Sequence, residues 1–164
     1  MSNRDPSLPA SDLIELLFFA YRDFISDPDT ILEQIGFGRA HHRVLHFVDR
    51  KPGLTVAGLL DLLKITKQSL ARVLKQLVDA GYIEQRPGPE DRRQRELYLT
   101  PKGHDLIGKL REPQSRRIMA ALDQSGCGEE EVARFLYAMI TASAKQQIGL
   151  LNNGRIPDDA RAER

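Results

Sequence analysis

The first hydrophobic run in the chain, Leu13-Ile14-Glu15-Leu16-Leu17-Phe18-Phe19-Ala20-Tyr21, leaves almost no polar face at helical spacing. Asp12 suits the cap of such a helix and Glu15, three residues on, completes a capping-box pattern. A helix over about 12–26 is therefore predicted, and one that is apolar on nearly every side must be covered by a partner. Asp27-Pro28 then reads as a fresh start, because proline favours the first helical position and breaks a helix from within. A short second helix is expected over about 28–35. Gly36 and Gly38 interrupt the chain before a helix over about 39–50, which Pro52-Gly53 ends.

The next stretch carries the most regular pattern. Thr55 opens a helix over about 55–63 with Leu59, Leu62 and Leu63 inside, and Thr66 caps another over about 67–80, which Gly81 ends. In that helix Leu70, Val73, Leu74 and Leu77 fall at i, i+3, i+4 and i+7, so they share one arc. Gln68, Arg72 and Lys75 occupy the opposite arc, flanked by Ser69, Ala71 and Gln76. After Gly81 the period shortens. The runs YIEQR and RELYL flank the turn-rich PGPEDRR, which is a hairpin signature. Pro101 starts a long helix to about Leu122, with a kink or break expected at Pro113. SGCG connects to a final helix over about 129–150, whose first turn, Glu129 to Glu131, suits the positive end of the helix dipole. Residues 1–10 and 152–164 read as polar tails.

Composition changes this picture little. The chain has 164 residues, 41% hydrophobic and 29% charged, as expected of a soluble globular protein. Its single cysteine, Cys127, excludes an internal disulfide and suits a cytoplasmic setting. The longest apolar run, Leu16 to Tyr21, is too short to span a bilayer, and no secretory signal pattern is read at the start.

Charge changes it more. The net charge is only +1, yet between Leu62 and Arg95 eight basic residues (Lys64, Lys67, Arg72, Lys75, Arg86, Arg92, Arg93, Arg95) meet four acids (Asp79, Glu84, Glu90, Asp91). A local excess of this sign is the footprint of a phosphate-contacting module, although a solvated charged face has the same appearance. Gln and Arg can pair with base edges, and Lys and Ser reach phosphates. An arginine on the adjacent loop can enter the narrow minor groove. Glu90 and Asp91 counter the charge there, but an acid can also hold a neighbouring arginine in a fixed pose.

From Thr55 to Gly103 the chain resembles the winged helix-turn-helix of the MarR family. The helix pair TVAGLLDLLKITKQSLARVLKQLVDAGYI matches, as do the wing motifs Asp91-Arg92-Arg93 (D-x-R) and Leu99-Thr100-Pro101-Lys102-Gly103 (L-T-x-x-G). The resemblance covers about residues 12 to 150. It implies a mainly α fold, a winged helix-turn-helix with a small β-hairpin wing over 39–103, and a helical dimerisation region formed by the N- and C-terminal helices, over 11–38 and 104–151. It further implies a homodimer binding double-stranded DNA at a pseudo-palindromic site, with repression the commonest outcome. Lys67, Gln68, Ser69, Arg72 and Lys75 would face the major groove. Arg93 would enter the minor groove, supported by Asp91 and flanked by Arg92 and Arg95. Leu13, Leu16, Leu17, Phe19, Phe135 and Met139 are the candidate dimer contacts. A small-molecule effector lodged between the dimer helices and the winged region would fix the spacing of the two lobes, with Phe18, Tyr21, His42 and His46 as candidate lining. Two departures from the family pattern stand out. Gly58 replaces a frequent glutamate of a capping box, which loosens the first helix of the pair, and Pro28 divides a first helix that is often continuous.

Other chemistry is thinly represented. His42 and His46 are spaced i, i+4 with His41 beside them, but no HExxH glutamate or local cysteine completes a metal site. Cys127 precedes a helix N-terminus, where a thiol pKa tends to fall. A metal- or redox-responsive regulator of the same fold, and a winged-helix interaction module that does not bind DNA, are the alternatives. No P-loop, G-x-S-x-G or dinucleotide fingerprint is present, so no catalytic residue and no cofactor is expected.

Overall fold

The computed structural model describes residues 9–151, so residues 1–8 of the tail expected over 1–10, and the whole of the tail expected over 152–164, lie outside the described residues. Among the described residues, seven helices and three short strands follow in the order α1 (Pro9–Glu33), α2 (Arg39–Arg50), β1 (Leu54–Thr55), α3 (Val56–Leu63), α4 (Lys67–Asp79), β2 (Ile83–Pro87), β3 (Arg95–Leu99), α5 (Pro101–Ser125), α6 (Glu129–Met139) and α7 (Ala142–Leu151). The mainly helical winged architecture agrees with the expected fold class.

One hydrophobic core unites the middle of the chain. Leu32 from the end of α1, Val44, Leu45 and Val48 from α2, and Leu59 and Leu63 from α3 are buried together with the inner arc of α4. Ile83 and Leu97 of the sheet close it on one side, and Leu106, Ile107 and Leu110 from the first turns of α5 on another. Each such side chain contributes roughly 1.5–3 kcal/mol by leaving water. Among the described residues no polar or charged residue is buried.

The wing is more than a hairpin. Leu54–Thr55 forms a third strand against β3, giving the antiparallel order β1-β3-β2 with Leu54 opposite Leu97 and Ile83 opposite Leu99. Gly53 makes this approach possible: at φ +85 it turns the chain so that its amide donates to the Leu97 carbonyl at 2.9 Å. The helix after β1 starts one residue later than expected, at Val56, since Thr55 is its cap and accepts from the Gly58 amide at 3.1 Å. The cap therefore forms without the glutamate that Gly58 replaces.

Three other helices depart further from expectation. The first helix starts at Pro9 and runs unbroken through Pro28 to Glu33, so residues 9 and 10 are helical rather than tail and there is no separate helix over 28–35. The reason lies across the interface with α5. Proline at 28 cannot donate to the Phe24 carbonyl, and the Gln114 side-chain amide donates to that oxygen instead, at 3.3 Å. Pro28 is itself fully buried. Likewise α5 continues through Pro113 as far as Ser125 rather than breaking there. The carbonyl that Pro113 leaves free belongs to Lys109, on an exposed side of the helix where water can take it. The last helix, in contrast, is two. Ile140 adopts an extended conformation (φ −82, ψ 154), and Thr141 caps a new helix by accepting from the Ala144 amide at 3.2 Å. This break lets α7 turn onto the winged region, where Gln147 donates to both the backbone oxygen and Oδ2 of Asp61 on α3 at 3.3 and 3.0 Å.

Candidate nucleic-acid interface

Helix α4 is presented by a tight turn. Lys64 ends α3 in the left-handed region (φ 53), and Arg43 of α2 donates to the Leu63 carbonyl just before it at 3.0 Å. Thr66 then caps α4, accepting from the Ser69 amide at 3.1 Å while its hydroxyl donates to Ser69 Oγ at 2.9 Å. Leu70, Val73, Leu74 and Leu77 are buried, as their spacing demands. Lys67, Gln68, Ala71, Arg72, Lys75 and Gln76 are exposed, and Ser69 is half-buried. Lys75 forms an i, i+4 ion pair with Asp79 at 2.6 Å, so it stands at the edge of the cationic face with its charge partly balanced.

The wing tip, 88–94, folds on itself. The Gly88 amide donates to the Gln94 carbonyl at 2.8 Å and the Gln94 amide to the Asp91 carbonyl at 3.0 Å. Asp91 Oδ1 accepts from the backbone amide of Arg93 at 2.9 Å. Its support of the arginine therefore acts on the main chain, not on the guanidinium. Arg92, Arg93 and Arg95 are exposed. The strands behind them are braced by Arg86, which pairs with Glu84 and lies over the Tyr98 ring at 4.2 Å. Tyr98 donates its hydroxyl to Glu96 at 2.8 Å, and this hydrogen bond raises its pKa. At the base of the wing Gly103 packs so tightly that a Cβ there would collide with the Tyr82 carbonyl oxygen. The L-T-x-x-G motif thus fixes the joint between β3 and α5, with Thr100 accepting from the Gly103 amide at 3.1 Å and donating to the Gly81 carbonyl at 2.6 Å.

One connection to α4 was not read from the sequence. His41 Nδ1 accepts from the Gly38 amide at 3.0 Å, its ring stacks on Phe37 at 4.4 Å, and its Nε2 lies 2.8 Å from Gln76 Oε1. The available signal was the position of His41, three residues after the Gly38 cap, where a side chain can reach back to the cap amide.

The remaining candidates sit apart from this face. Leu13, Leu16, Leu17 and Phe19 on α1, and Phe135 and Met139 on α6, are all exposed in the single chain, between 38% and 62%. Phe18 and Tyr21 on α1 are more exposed still, while His42 is half-buried and His46 lies on the outer side of α2. Burial lowers the pKa of His42 first, with His46 adding to the effect and Asp29 opposing it. His46 is also lowered, by burial and then by Arg111 and Arg50, against Asp49. None of these four lines the open groove of about 710 Å³ between α1 and α5, whose walls include Ile31, Pro113, Arg116, Arg117 and Ala120. Among the described residues no three His, Cys, Asp or Glu side chains are grouped to hold a metal ion, and no helix is long and apolar enough to cross a membrane. Cys127 is exposed.

Comparison with known proteins bears on this arrangement. A family model for the MarR family matches residues 35–94. The HTH-type transcriptional regulator PetP of Rhodobacter capsulatus is 47% identical over 143 residues, which cover 85% of each chain. Among solved structures, FabT of Streptococcus pneumoniae in complex with DNA superposes with a TM-score of 0.62 at 20% identity, covering 79% of this chain and 92% of that one. A variant MarR from Escherichia coli complexed with operator DNA gives 0.58 at 22% identity, with the same coverage.

Proposed function

The chain belongs to the MarR family, and from that premise we propose that it is a sequence-specific DNA-binding transcription regulator acting as a homodimer on a pseudo-palindromic operator. One observation carries this reading. The exposed arc of α4, with Lys67, Gln68, Arg72 and Lys75, faces away from the core, and the adjoining wing carries Arg92, Arg93 and Arg95, which pair with no acid among the described residues. Two copies related by a two-fold axis would set their α4 helices into successive major grooves, roughly 34 Å apart. Lysine and arginine contacts to phosphates supply affinity and salt dependence, while Gln68, Arg72 and Arg93 supply discrimination.

The homodimer is formed by α1 and α6, whose exposed apolar side chains find cover in the second copy. The relatives solved with DNA favour a duplex ligand over a protein partner for this fold. Repression is the expected outcome at the operator. A small-molecule effector would release the DNA by binding one spacing of the two lobes better than the other. Phe18 and Tyr21 on α1 and His42 and His46 on α2 remain the candidate contacts for it.

Selection of bound fragments from the source genome tests the reading directly, with a shared two-fold symmetric motif as the expected result. Substituting Arg93→Ala should weaken binding to that motif by about 1–3 kcal/mol and leave the dimer intact in sedimentation. Duplex binding that is weak and indifferent to sequence at low salt would reject it.

A further inference from the structure

The contact between His41 and Gln76 has a direction. A backbone amide can only donate, so the Gly38 amide at 3.0 Å makes His41 Nδ1 an acceptor. A neutral imidazole then carries its one proton on Nε2, and that N–H must donate to the group 2.8 Å away. The carboxamide oxygen of Gln76 is therefore turned inward to His41. Its amino group is left facing out, with no partner among the described residues. Phe37 stacks on the imidazole at 4.4 Å and 10°, and is itself braced edge-on by Tyr82 at 5.6 Å, so the ring cannot swing away cheaply.

Gln76 also has a definite place on α4. Gln68, Arg72 and Gln76 follow at i, i+4 and i+8, one stripe along the exposed arc. Residues near the start of such a helix reach base edges, and those two turns later lie toward the flanking backbone. Phosphate oxygens only accept hydrogen bonds. A free glutamine would spend part of its time with its oxygen outward, which a phosphate repels. We propose that His41 is a positioning residue that locks Gln76 as a fixed, uncharged donor to a DNA phosphate at the end of the recognition helix.

This inference rests on the DNA-binding reading, and the test separates the two. The probe is a mixed-sequence duplex of roughly three helical turns at low salt, because a phosphate contact does not depend on sequence. Gln76→Met, an exposed and helix-favouring change, should weaken binding roughly three- to tenfold, the range of a neutral hydrogen bond. Gln76→Glu should weaken it further by turning a donor into a charge of the wrong sign. Neither Gln76→Met nor His41→Ala should alter the salt slope, since a neutral donor displaces no counterion, whereas Arg93→Ala should reduce it. His41→Ala should cost less than Gln76→Met, about twofold, because a freed carboxamide can still turn its amino group outward, and should add almost nothing when Gln76 is already Met.

An additive effect of His41→Ala in the Gln76→Met background would show that His41 acts through the fold, and would overturn the proposal. So would single variants that bind as the parent does. If His41→Ala fails to fold, the order of Gln76→Met and Gln76→Glu decides alone, and equal binding by the two rejects the donor role. A parent chain that ignores the duplex altogether brings down the functional reading and this inference together.

Discussion

The segment from Pro28 to Leu110 and the arms on either side of it are built to opposite standards. In the first, every helix and strand contributes to one core, and Leu32, Leu45, Leu59, Leu77, Leu97 and Leu110 are all completely or almost completely shielded from solvent. In the arms, residues 12–26 and 113–151, no large apolar side chain is buried, and Phe18, Leu16, Phe19, Met119 and Met139 are more than half exposed. The arms are the richer of the two in hydrophobic residues, so the difference is one of partners. The central segment satisfies itself, whereas the arms carry an apolar surface that the described residues leave uncovered, which is the condition for association.

The sharpest way to break this comparison is to damage each side in kind. Leu59→Ala should lower the unfolding free energy by roughly 2–5 kcal/mol at any protein concentration, read by denaturant titration, because it leaves a void in a closed core. If the loss were negligible, the central segment would not be the cooperative unit described. Aspartate at both Leu16 and Phe19 should act differently. It should raise the dimer dissociation constant by about two orders of magnitude, seen in sedimentation, and remove the concentration dependence of the melting temperature. A doubly substituted chain that still pairs would place the interface elsewhere.

Two smaller effects sharpen the boundary between the regions. Gln114→Leu removes the donor that serves the Phe24 carbonyl and should cost about 1 kcal/mol, with unfolding of the arm end of α1 visible in amide exchange before the core opens. The least effect concerns His42, at the junction. Its pKa is lowered in the fold, so the unfolded chain takes up the proton more readily. The stability that neutral His42 allows is thus present above its ordinary value of 6.5 and is lost as pH falls below it toward the folded pKa. His42→Gln should flatten that decline in melts between pH 7 and about 5. An unchanged decline would assign it to other groups.

What could be read from the sequence follows the same divide. The α3–α4 pair was legible because its signals are local: Thr55 and Thr66 cap, Gly81 terminates, and the spacing of Leu70 to Leu77 fixes the buried arc. The wing strands were legible from their turn-rich link, but β1 was not, since two residues carry no period and pair only through the turn at Gly53. Pro28 was misread because its effect on a helix depends on Gln114, far away in the chain. The break at Ile140 was hidden for the opposite reason: FLYAMI reads as continuous helix, and only the tie from Gln147 to Asp61 shows what the bend accomplishes. The outward side chains of α4 and the wing are legible from residue type and spacing. The polarity of Gln76 could not be, since it is set by a histidine from another helix.

The unbroken course of α1 has a mechanical meaning. Twenty-five residues at 1.5 Å each make a rod about 37 Å long, with its apolar end in the arm and Leu32 anchored among the core side chains. A hinge at Pro28 would have let one end turn without the other. A stiff rod works as a lever, so a tilt of only about 5° at the exposed end carries the far end through about 3 Å, close to the rise of one base pair.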